Sequence, residues 1–169
     1  MAYLISATHI SIDTVSETQI RGWPDQAFDH FISHWERLAR KVGGYPARGD
    51  IDALELGIEL LPNIFLIDVV AKAFSSTPRF RFRLLGDAIL QRERTRPGQY
   101  LDGLGSTNDL TAIREHYEDC LSGKVSLRRS NLGWEADDRR FMEYSTIVLP
   151  LSGDARSVDT LIGLVVYDI

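Results

Sequence analysis

A chain of 169 residues, 44% hydrophobic and 25% charged, has the composition of an ordinary globular domain large enough for one real core. Its formal net charge of −5 opposes sequence-independent affinity for nucleic acid or for an anionic membrane, because that affinity rests on a basic excess. A single cysteine, Cys120, excludes an intramolecular disulfide and a cysteine-rich zinc site, and neither a secretory leader nor an apolar run of about 18 residues is present, so a cytoplasmic protein is expected.

Residues 1–24 are polar and weakly patterned and read as an N-terminal extension. Trp23-Pro24-Asp25 is a helix start, and from it Phe28, Phe31, Ile32, Trp35, Leu38, Ala39 and Val42 recur at helical spacing until Gly43-Gly44 stops the run. This predicts an amphipathic helix over 25–42, within a first unit spanning 25–45, with the remaining 46–169 as the core domain. The helix carries more large apolar surface than one flank of a small sheet must accept. A homodimer built on Phe28, Phe31, Ile32, Trp35, Leu38 and Val42 is therefore expected, the alternative being a helix packed on its own sheet.

The turn-rich stretch 45–62 predicts only single helical turns. Five strand-like segments follow, over 63–72, 79–87, 124–132, 140–151 and 157–169, with a short helix near 88–94 and a longer one near 108–122 between the second and third. In "RFRFRLLG" (79–86) three arginines alternate with apolar residues, so Phe80, Phe82 and Leu84 should share a buried face and Arg79, Arg81 and Arg83 a wet one. Segments such as "IFLI" and "LIGLVV" are apolar on both faces, which calls for cover on both sides of the sheet. The class expected is α+β.

Residues able to carry chemistry are few. His30 and His34 stand i, i+4 apart, but without the Glu of a zinc-protease helix they read as solvated surface residues. His116 falls about 90° from the centre of the apolar stripe made by Leu110, Ile113, Tyr117, Cys120 and Leu121, a flank position. Cys120 reads as a small buried hydrophobe. "DGLGSTND" (102–109) lacks the lysine of a phosphate-binding loop and reads as a loop with a helix cap at Ser106, Thr107 or Asn108. Arg128 and Arg129 read as charged protection of a sheet edge, with a rim contact to a ligand carboxylate as the alternative. No nucleophile motif appears, and no metal and no enzyme activity are expected.

The succession "LLPNIFLIDVV" (60–70), "RFRFRLLGDAI" (79–89), "GQYLDGL" (98–104), "HYEDCL" (116–121) and "IVLPLSGDARSVDTLIGLVVYD" (147–168) resembles the bacterial single-domain PAS family, PAS_5-like. The resemblance covers most of residues 28–168. It implies an antiparallel sheet of five strands in the order 2-1-5-4-3, with helices of 88–122 closing a pocket over one face. It also implies a sensory or signalling role exercised through a homodimer or an unknown partner protein. Phe65, Ile67, Val69, Phe80, Phe82, Leu84, Ile113 and Tyr117 are the candidate pocket lining. No cofactor is expected beyond an unknown small apolar molecule. A ligand-free dimerisation scaffold is the competing reading, and haem held by His116 a weaker third.

Overall fold

The computed structural model describes residues 23–104, 108–123, 127–132 and 142–167. Most of the N-terminal extension, the expected caps Ser106 and Thr107, and the side chains of Arg128 and Arg129 lie outside what is described. The first helix, α1, runs Trp23–Val42 with Pro24 in its first turn, where a missing N–H costs no helical bond. It ends where Gly43 takes a left-handed φ of 68° and its N–H reaches the Ala39 carbonyl at 2.9 Å. After it, α2 (Ala53–Leu56) is a single turn whose N-cap, Asp52, accepts from the Leu54 N–H at 2.8 Å.

The strands are β1 (Ile64–Val70), β2 (Arg79–Leu85), β3 (Leu127–Leu132), β4 (Met142–Leu151) and β5 (Thr160–Tyr167). They form one antiparallel sheet in the order β2-β1-β5-β4-β3. Two helices, α3 (Asp87–Arg92) and α4 (Asn108–Leu121), come between β2 and β3 in sequence. The outer edge of β2 is closed by residues 98–100, for Gly98 N–H donates to the Phe82 carbonyl and Phe82 N–H to the Gln99 carbonyl. This segment covers the middle of that edge, at Arg81 and Phe82.

Strand alternation divides the core into two layers. Ile64 and Leu66 of β1, Ile147, Leu149 and Leu151 of β4, and Ile162, Leu164 and Val166 of β5 face α1, where Phe28, Phe31 and Trp35 cover them. Trp35 is pinned as well as packed, its indole N–H donating to the Pro150 carbonyl at 2.8 Å. Phe65, Ile67, Phe80, Phe82, Tyr144, Val148, Leu161, Val165 and Tyr167 face the other way, toward α3 and α4. On that side Gly163 is opposite Phe65, and a Cβ there would run into the Phe65 ring. The glycine lets the ring lie flat on the sheet.

Two expectations are corrected by this packing. The homodimer stripe is spent within the chain: Phe28, Phe31, Trp35 and Leu38 are buried, Ile32 packs half-buried on the same cluster, and Val42 stays 39% exposed past the end of the contact. The amphipathic pattern was satisfied by the sheet, which needed cover on that side. Leu84 is 40% exposed, whereas Leu85 is buried. The register steps from Ile67 opposite Phe82 to Leu66 opposite Leu84, which leaves Arg83 as an extra residue and reverses the alternation beyond it.

Candidate functional site

The face of the sheet that β1, β2 and β5 turn toward α4 gathers the candidate lining. Phe65, Ile67, Phe80, Phe82 and Tyr117 are buried in one cluster, with Val69 and Ile113 packed half-buried against it. Leu84 is not among them, for the reason given by the bulge. Rings dominate the contact: Tyr117 meets Phe80 edge-on at 5.3 Å between centroids and Phe65 at 6.4 Å. Such pairs contribute about 0.5–1.5 kcal/mol each beyond area burial and fix the angle at which α4 sits.

A polar cluster borders this apolar layer. The Tyr167 hydroxyl, at the end of β5, donates to Glu93 Oε1 at 2.8 Å, just after α3. The Arg92 guanidinium lies 4.9 Å above the Tyr167 ring, and Tyr144 packs 6.1 Å away on the adjacent strand. Burial pushes the Glu93 carboxyl above its ordinary range, only partly offset by the Tyr167 hydrogen bond. Burial, reinforced by the Glu93 charge, pushes the phenol up as well. Sequence reading missed this pair. Glu93 sits in the polar run "QRERTRPG", and Tyr167 was one more residue of an apolar strand, so no local signal marks a contact across 74 residues.

The remaining candidates take definite places. Cys120 is fully enclosed against β4, with Sγ 3.5 Å from the Val148 carbonyl, and burial pushes its thiol well up, so it is neither a thiolate nucleophile nor a soft ligand. His116 is buried on α4 with its ring 6.1 Å from that of Tyr117. His30 is exposed, in contact with the Glu55 carbonyl. His34 is not the surface residue expected: only 4% of it is exposed. Among the described residues no cluster of three His, Cys, Asp or Glu is spaced to hold a metal ion.

The arginine row of β2 is a set of ion pairs. Asp68, across from Arg81, accepts from Arg81 at 2.8 Å and from Arg83 at 3.2 Å. Arg79 makes a two-pronged contact to Asp102, both bonds 2.8 Å, while its guanidinium lies 3.8 Å over the Tyr100 ring. The Arg79 bond holds the Asp102 carboxyl below its ordinary range. Charges neutralised in place do not form a phosphate-binding stripe.

No family model matches the chain, and no curated protein matches it. Among the described residues no helix is long and apolar enough to cross a membrane.

Proposed function

We propose that the chain is a PAS-type sensory or signalling domain of the cytoplasm, not an enzyme, acting through protein–protein interaction and tuned by a small apolar ligand between the sheet and α4. The observation that carries this reading is the face of β1, β2 and β5 on which Phe65, Ile67, Phe80, Phe82 and Tyr117 converge beneath α3 and α4. The strand order β2-β1-β5-β4-β3, with both helices inserted between β2 and β3, is the order the family resemblance implies. Mostly apolar walls, with the hydrogen-bonded pair Glu93 and Tyr167 among them, suit recognition better than chemistry. A homodimer is one form the partner can take, on a surface other than the Phe28–Val42 stripe.

A second reading, a ligand-free association module, has its own support. The rings of Phe65, Phe80 and Tyr117 lie against one another and against Gly163, as in a filled interior. Native mass spectrometry of the purified protein separates the two. A retained adduct that disappears on denaturation, and is lost in Ile67→Trp, supports the sensor; the bare chain mass at every gentle ionisation setting supports the module.

A further inference from the structure

His34 sits on α1 where α2 packs against it, and its hydrogen bonding fixes its protonation state. Arg37 Nη2 lies 2.9 Å from His34 Nδ1, and a guanidinium can only donate, so Nδ1 must be the bare, accepting nitrogen. The neutral ring therefore carries its proton on Nε2, which is buried and has no hydrogen-bond partner among the described residues. An enclosed donor left unsatisfied is costly, so the arrangement must be held by what surrounds it. Leu56 of α2, buried beside Phe31 and Trp35 in the same cluster, provides that hold.

A second proton can enter only at Nδ1, the atom Arg37 already occupies. The Glu55 carboxylate waits 3.7 Å from the same nitrogen and 2.6 Å from Arg37. We propose that His34 is an acid-sensitive latch between α1 and α2: protonation at Nδ1 expels Arg37, turns the imidazolium to Glu55 and loosens the docking of α2. The charged and titratable groups facing His34 are Arg37 and His30 on α1, and Glu55 and Asp52 on the α2 side. Burial, then the Arg37 charge, holds the imidazole below its ordinary value of 6.5, against the opposing pull of Glu55. A lowered histidine favours the docked state at neutral pH and loses that advantage as pH falls below 6.5, because the opened ring takes up the proton first. The latch lies on the α1 side of the sheet and stands apart from any ligand on the α4 side.

The test is a pH titration of the imidazole resonances by NMR, paired with hydrogen exchange at the Leu56 amide, which bonds the Asp52 carbonyl at 3.0 Å. The wild-type His34 midpoint should lie below 6.5, and Arg37→Met, at an exposed side chain, should raise it. Glu55→Gln should lower it. Between 6.5 and the folded midpoint the opening constant at Leu56 should rise by up to about tenfold per pH unit. His34→Gln should abolish that slope. A His34 midpoint at or above 6.5, a midpoint unmoved by Arg37→Met, or a Leu56 slope that survives His34→Gln would overturn the latch. The wild-type and Arg37→Met titrations, with the wild-type Leu56 slope, decide the matter even if His34→Gln fails to fold, and a flat wild-type Leu56 slope below pH 6.5 would also overturn it.

Discussion

Leu84 and Leu85 are adjacent, identical in chemistry and opposite in fate. Phe80 and Phe82 point to the α4 side, so uninterrupted alternation would send Leu84 there and Leu85 outward. The extra residue Arg83 cancels one step of the alternation. Leu85 then enters the α4-side cluster beside Ile89, while Leu84 is left 40% exposed. The energetic consequence is large. Leu85→Ala should cost about 2–5 kcal/mol, as truncation of a buried leucine does, whereas Leu84→Ala should stay within roughly 0.5–1 kcal/mol. Urea denaturation of the two variants measures the difference directly, and equal losses would mean that the bulge is not present in solution.

At the scale of elements, the loop joining β4 to β5 shows a short polar segment holding a fixed shape. The Asp154 carboxylate accepts from the Ser152 hydroxyl at 2.7 Å, the Ser157 hydroxyl at 2.9 Å, and the Ser157 and Arg156 N–H groups at 2.8 and 2.9 Å. The Ala155 carbonyl then accepts the Tyr45 N–H, tying the loop to the chain just past α1. The four donors, with the Ser157 N–H foremost, hold the Asp154 carboxyl far below its usual range. A lowered carboxyl stabilises the folded state above its unfolded value and loses that contribution as pH falls through the folded one. The thermal midpoint of Asp154→Asn should therefore trail wild type by its full gap at neutral pH, and the gap should shrink below pH about 4. A gap independent of pH would remove the charge from the explanation. Elements were legible where their signals are local: the α1 stripe with its glycine stop, and the alternation that selected Phe65, Ile67, Phe80 and Phe82. What escaped depends on partners distant in sequence. The bulge at Arg83 is a property of pairing with β1, the burial of His34 comes from α2, and the Glu93–Tyr167 bond joins elements 74 residues apart. Helical periodicity reveals that α1 has an apolar face, but not whose surface covers it.

At the scale of the whole molecule, one sheet serves two cores. Alternate residues of β1, β4 and β5 face α1 on one side and α3 and α4 on the other, so neither layer can dissolve without exposing a face of the strands that build both. Trp35 tests this arrangement from the α1 side. Its side chain is buried against β4 and its N–H occupies the Pro150 carbonyl. Trp35→Glu would remove a large aromatic contact, for which truncation costs about 3–5 kcal/mol, and would also enclose a carboxylate at a further cost of several kcal/mol. The sum rivals the roughly 5–15 kcal/mol that holds an entire domain together. The variant should therefore lose its far-UV circular dichroism and its tertiary signal together, and should not appear as a folded monomer released from a dimer. Trp35→Phe keeps a ring in place but frees the Pro150 carbonyl, and should fold with a loss of about 1–3 kcal/mol. Tyr117→Ala, on the opposite side of the sheet, made in a Trp23→Phe, Trp134→Phe background so that Trp35 is the one fluorophore, should lower the unfolding midpoint read by Trp35 fluorescence as much as the one read by circular dichroism, because the two layers share strands. A folded, monomeric Trp35→Glu by light scattering would restore the interface role of α1, and a Tyr117→Ala transition invisible to Trp35 would show that the two cores melt apart.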